Sequence, residues 1–149
     1  MNTIAVDAMG GDSAPIDIVK GAIKAKEQGV DVVLCGDKNL INPYLENNEI
    51  PVFDFPQVIS MDEDPLRAIR NKKNASIVGC MQLLKDKKVQ AVFSAGSTGA
   101  TLISAISILG KHKGVIRPVI ASVLPSLSGN TILLDSGASL DVKPKVLFQ

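Results

Sequence analysis

The sequence predicts an α/β fold in which a mostly parallel sheet is covered by helices. Three observations predict it. Hydrophobic residues make up 46% of the chain and aromatic residues only 3%, so Ile, Val, Leu and Ala build the core, as suits buried parallel strands. Several short segments, Asp31 to Gly36 among them, are almost entirely apolar, the pattern of strands covered on both faces. Three such segments end in small-residue turns that lead toward helices. At 149 residues the chain corresponds to a single α/β domain, 1–149, with enough length to bury a core.

The first strand is Ile4 to Ala8, followed by the Gly10-Gly11 turn and a helix with Pro15 in its first turn. Glycine permits the tight reversal, Asp12 or Ser13 is expected to cap the helix, and Pro tolerates a position whose N–H has no partner. Ile16, Val19, Ala22 and Ile23 recur at helical spacing, and Gly29 stops the helix after about Gln28. Asp31 to Gly36 is the second strand. Asp37 caps a second helix through Leu45, closed by Asn47-Asn48. Pro51 to Phe55 and Gln57 to Ser60 read as extended pieces separated by Pro56.

Pro65 opens a short helix behind three carboxylates, which favour its positive end. Arg67, Arg70, Lys72 and Lys73 crowd this segment, either as a self-compensating surface helix or with one arginine turned to a cleft as an anion ligand. Ala75 to Lys88 is helical, with Ile77, Met81 and Leu84 on one face. Val89 to Ser94 returns as a strand into Ser94-Ala95-Gly96-Ser97-Thr98-Gly99-Ala100, where Ser97 or Thr98 caps a helix with Leu102, Ile103, Ile106 and Leu109 as its buried stripe. Arg117 to Pro125 is a strand, Gly129-Asn130 turn the chain into a buried strand Thr131 to Asp135, and Ser136 to Asp141 form the third small-residue turn before a helix near Lys143-Pro144.

Sixteen basic and fifteen acidic residues give a net charge of +1, with no global attraction to nucleic acid or membrane. The basic clusters Lys72-Lys73, Lys85 to Lys88 and Lys111 to Lys113 read as solvated helix ends or, more sharply, as docking for an acidic protein. Cys35 and Cys80 are far apart with no ligand cluster beside them, so neither a disulfide framework nor a zinc site is expected, and both read as buried packing. The amino terminus lacks a signal-peptide pattern and no apolar run is long enough to span a bilayer, which points to a cytoplasmic location. His112 sits between lysines and is expected at the surface without a catalytic role.

The three strand-end turns converge on one expectation, an anion-binding cleft beyond the carboxyl ends of the strands. Backbone N–H groups and a positive helix end suit an anion. Asp7 and Asp12 flank the first turn and would repel a bare phosphate, so at least one of them is expected to orient a cation, a metal or a hydroxyl. Neither G-x-G-x-x-G nor G-x-x-x-x-G-K-[ST] occurs, which leaves a dinucleotide fold or a P-loop without a fingerprint.

Four motifs in order, A-V-D-A-M-G-G-D at 5–12, S-A-G-S-T-G-A at 94–100, R-P at 117–118 and L-L-D-S-G-A-S-L-D at 133–141, resemble the bacterial phosphate acyltransferase family of fatty acid and phospholipid synthesis (PlsX). M-D-E-D-P-L-R-A-I-R-N-K-K at 61–73 is similar to the same family. The resemblance implies a three-layer α/β/α fold, similar to that of isocitrate and isopropylmalate dehydrogenases and phosphotransacetylases. It also implies transfer of an acyl group from acyl-(acyl carrier protein) to inorganic phosphate, without cofactor or metal. The expected partners are acyl carrier protein, a second copy in a homodimer and a membrane glycerol-3-phosphate acyltransferase that uses the acyl phosphate. The expected location is then cytoplasmic, at the membrane periphery.

With that reaction in view, Asp7, Asp12 and Arg117 are the expected catalytic residues. Gly10, Gly11, Ser94, Gly96, Ser97, Thr98, Gly99, Asp135 and Ser139 are the expected phosphate or substrate contacts. Ser97 and Ser139 stand where the family usually has Asn, which removes an amide's fixed donor and acceptor. Family members are longer, so the chain is expected to be an amino-terminal portion. A non-catalytic module that binds phosphate or acyl carrier protein, a nucleotide-dependent oxidoreductase and a dimerisation half stand as alternatives.

Overall fold

The structure is a computed structural model that describes residues 2–135 and 144–148. Two compact units divide the chain after Leu109.

The first unit is built on four parallel strands: β1 (Ile4–Asp7), β2 (Val32–Gly36), β3 (Val52–Asp54) and β4 (Ala91–Ser94), in the spatial order β3-β2-β1-β4. The chain steps outward from β1 through β2 to β3 and then returns to the other side of β1. The strand order therefore reverses between β1 and β4, the kind of switch point where open parallel sheets form a crevice. All five residues of β2 are buried, as its apolar run requires.

Strand alternation assigns the helices to faces. Val6 and Ala8 with Val32 and Leu34 pack against Val19 and Ala22 of α1 (Ile16–Glu27) and Ile41 and Leu45 of α2 (Lys38–Leu45). Ala5, Val33 and Cys35 pack on the opposite face against Cys80 and Leu83 of α4 (Ser76–Lys85). Three layers result. Leu34, Ile41 and Val19 are fully buried, each worth about 1.5–3 kcal/mol relative to exposure. Helices α3 (Pro65–Asn71) and α5 (Thr98–Ile108) extend the α4 side through Ile69, Ile77, Met81 and Ile103.

The helix signals hold locally. Asp37 caps α2 by accepting from the amides of Asn39 and Leu40, Asp64 caps α3 through Arg67 N, and Gly29 leaves α1 at φ +85°. Gln57 makes only an isolated bridge to Ala75, so the expected second extended piece is not a strand. Helix α4 stops at Lys85 instead of Lys88, where Lys87 adopts φ +58°.

Two expectations fail for packing reasons. Neither Asp12 nor Ser13 caps α1 with its side chain; a turn over residues 11–15 precedes the helix, and Asp17 N bonds the Ser13 carbonyl instead. In α5 the buried residues are Ala100 and Ser104, while Leu109 is exposed. Small side chains let α5 lie close on α3 and α4, which turns the predicted leucine and isoleucine stripe partly outward. That approach is tight enough that a Cβ on Gly99 would stand 2.8 Å from Pro65.

The second unit holds an antiparallel hairpin of β5 (Ala121–Ser126) and β6 (Gly129–Leu134), then α6 (Pro144–Leu147). The hairpin turns at Leu127-Ser128, two residues earlier than expected, and Gly129 opens β6 at φ +134°. Ile132 is 65% exposed, so β6 is not the predicted buried strand: among the described residues it pairs with β5 alone. The turn expected over Ser136 to Asp141 lies outside the described residues. No helix among the described residues is long and apolar enough to cross a membrane.

Cys35 and Cys80 are buried free thiols, in keeping with the packing role expected of them. A hydrogen bond with Cys35, reinforced by burial, pushes the Cys80 thiol well above its ordinary range. Both thiols should resist a soluble disulfide reagent in the native protein at pH 8 and react on unfolding. Because the folded thiol holds its proton more tightly than the unfolded one, stability should decline as pH rises above about 8.5; a flat denaturation profile from pH 8 to 10 would contradict this.

Candidate active site

The register of the sheet places Asp7, the last residue of β1, directly beside Ser94, the last residue of β4. Asp7 is 3% exposed. Its Oδ2 accepts a 2.7 Å hydrogen bond from the Ser94 hydroxyl, and its Oδ1 a 3.3 Å bond from the amide of Met9. The Ser94 oxygen in turn accepts from the amide of Gly96 at 3.1 Å. With a donor behind it and a carboxylate before it, the hydroxyl proton points at Asp7. The two glycine-rich turns are thus joined by a relay from Gly96 N–H through Ser94 Oγ to Asp7.

Glycine is required here by space. A Cβ on Gly10 would stand 2.5 Å from Asp7 Oδ2 and 2.9 Å from both Gly96 N and Ser94 Oγ; one on Gly96 would stand 3.1 Å from Gly10 Cα. Gly11 adds a φ of +113°, strained for any other residue.

A narrow cleft opens beside this relay. It is lined by Asp7, Met9 and Gly10 from the first turn, Ser94, Gly96 and Ser97 from the second, Ile59, Ser76 and Ile77, and Ala100 and Thr101 of α5. Among these Asp7 is the only charged side chain. Ser97 caps α5 by accepting from Ala100 N at 3.3 Å, and the Thr101 hydroxyl donates to the Ser97 carbonyl. The amides of Thr98 and Gly99 donate to no acceptor among the described residues. They lie at the positive end of an eleven-residue helix. The arrangement combines a buried carboxylate able to take a proton with amides and hydroxyls able to hold oxygens.

A family model described as a fatty acid synthesis protein matches residues 2–149. The chain belongs to this fatty acid synthesis protein family. It is 47% identical over 154 residues to a phosphate acyltransferase of Desulforamulus reducens, covering 100% of this chain and 46% of that relative. A phosphate acyltransferase of Desulfitobacterium hafniense (strain Y51) is 46% identical with the same coverage. One of Gloeothece citriformis is 48% identical over 153 residues, 98% of this chain and 44% of the relative. The chain spans about half the length of the curated relatives it matches.

Within this family member the cleft brings together Asp7, Gly10, Ser94, Gly96 and Ser97 of the expected site residues. Gly11, Thr98 and Gly99 flank it in the same turns. Asp12 is exposed and outside the lining, as are Arg67 and Arg70 of α3; the basic charge of that segment is partly compensated by the Lys72–Glu63 ion pair at 2.6 Å. That bond from Lys72 and one from the Ser60 amide hold the Glu63 carboxyl below its usual range. Arg117 and Asp135 belong to the second unit. Arg117 is exposed there, and Asp135 is buried at φ +58° with neither carboxyl oxygen bonded among the described residues. Ser139 lies outside the described residues. Sequence reading missed Ser76, because it read α4 only for its apolar stripe; an Ala at the N-cap before a Ser was the available signal.

Replacing Gly10 by Ala should force Asp7 and Ser94 apart and cost about 1–3 kcal/mol of stability, with the loss read by urea denaturation. An unchanged midpoint would mean that the turns are not in the contact described.

Proposed function

We propose that this chain carries the phosphate-handling half of an acyltransferase that moves a fatty acyl group from acyl-(acyl carrier protein) to inorganic phosphate. The observation that carries the reading is the Asp7–Ser94–Gly96 relay at the strand-order reversal, in a family whose relatives bear the name phosphate acyltransferase.

In the proposed reaction a phosphate oxygen attacks the thioester carbon, a C–O bond forms and the C–S bond breaks. Monohydrogen phosphate brings one proton more than acyl phosphate retains, and the departing thiolate needs one. Asp7 takes that proton and returns it to the sulfur. The free amides of Thr98 and Gly99, with the Ser97 and Thr98 hydroxyls, hold phosphate or the developing oxyanion at the positive end of α5. Gly10 and Gly11 let the first turn approach. Arg117, Asp12, Asp135 and Ser139 are kept as proposed catalytic or substrate residues, with no contact to this cleft assigned to them. Positioning and electrostatics supply the acceleration without a covalent enzyme intermediate.

The acyl phosphate then feeds phospholipid synthesis through a membrane glycerol-3-phosphate acyltransferase, with the enzyme a cytoplasmic homodimer at the membrane periphery. Acidic acyl carrier protein docks on basic surface. The cluster Lys85 to Lys88 begins at the far end of the ten-residue helix α4, about 15 Å from its cleft end, and Arg67, Arg70 and Lys73 are further exposed cations.

The test is acyl phosphate formation from acyl-(acyl carrier protein) and phosphate, trapped with hydroxylamine. Asp7→Asn should lower turnover about 10²–10⁴-fold. Undiminished turnover in that variant would refute the proton role. Ligand binding without product from the folded chain would favour the binding-module reading.

A further inference from the structure

The amino end of α4 meets the same cleft from the other side. Its N-cap is Ala75, which offers no side-chain acceptor, and the amides of Ile77 and Val78 donate to no acceptor among the described residues. Ser76, the first residue of the helix, lines the cleft and is only 3% exposed. Its hydroxyl has no hydrogen-bond partner among the described residues, yet the oxygen is not sealed in the core. The hydroxyl therefore reaches the cleft with its hydrogen-bonding capacity uncommitted.

We infer that Ser76 and the first-turn amides of α4 form a binding site for phosphate oxygens, facing the α5 turn across the cleft. The inference rests on the acyltransferase reading and adds to it a substrate contact outside the glycine-rich turns. Asp7 does not defeat an anion here. Its two oxygens already hold the Ser94 hydroxyl and the Met9 amide, and a phosphate that keeps one hydroxyl can present that P–OH to Asp7 as a donor. Its remaining oxygens then accept from Ser76 and from the helix amides. The ligand selected is a tetrahedral oxyanion carrying a proton. A fully deprotonated anion would meet Asp7 with nothing to donate.

The experiment is a calorimetric titration of inorganic phosphate into the chain and its Ser76→Ala variant, with thermal melting of both. Since the hydroxyl bonds nothing among the described residues, Ser76→Ala should melt at the same temperature, while phosphate affinity falls about tenfold or more. Equal affinity in the variant would overturn the assignment of Ser76 and leave the acyltransferase reading standing. A lower melting temperature would also overturn it, because the hydroxyl would then serve the fold. A wild-type chain that binds no phosphate would overturn both readings.

Discussion

The contact between Gly10 and Gly96 is the constraint on which the site depends. With no side chain on either residue, the turns leaving β1 and β4 approach until one Cβ would lie 3.1 Å from the other backbone. That approach seats the first turn against Gly96 and Ser94, where Gly96 N bonds Ser94 Oγ and Ser94 bonds Asp7. The relay satisfies a carboxyl group that is otherwise buried, and burial without it would cost several kcal/mol. Sheet register supplies the rest: because Asp7 and Ser94 are direct partners on parallel strands, no long flexible side chain is needed to join them.

Strand alternation then decides which helices can share in the chemistry. Ala5 points to the α4 side and Val6 to the α1 side, so Asp7, two residues beyond Ala5, falls on the α4 side. The cleft therefore opens toward the amino ends of α4 and α5 and away from α1, although α1 follows the Gly10-Gly11 turn in sequence. This explains why Asp12 lies outside the cleft lining while Ser76, distant in sequence, lies inside it.

Much of the fold was legible because its signals are local. Asp37, Asp64 and Ser97 cap helices as their positions imply, and the uninterrupted apolar run of β2 is buried as a two-faced strand must be. The misreadings come from long-range packing. The stripe of α5 was read from hydrophobicity, but the helix is seated by Ala100 and Ser104, whose small size matters more than their polarity where α3 and α4 crowd in. Apolar content also could not distinguish a buried strand from the exposed hairpin strand β6. Within the site, the turns were visible as glycine patterns. The partner of Asp7 was not, since nothing local relates residue 7 to residue 94, and Ser76 joins the cleft lining only through the packing of α4.

A cleft whose lining has one negative and no positive side chain is an unusual place to hold an anion, and its electrostatics follow from that. Donors here are dipoles: amides at the starts of two helices and hydroxyls held by neighbouring backbone. Dipoles lose strength with distance faster than a cation does, so they discriminate by geometry and hold only an oxygen that fits between them. A cation would bind phosphate in many poses and would also neutralise Asp7. No cation in the lining competes with a bound group for Asp7. Dipoles around a lone carboxylate are thus what the proposed reading requires of a site where a nucleophile is held and deprotonated at the same point.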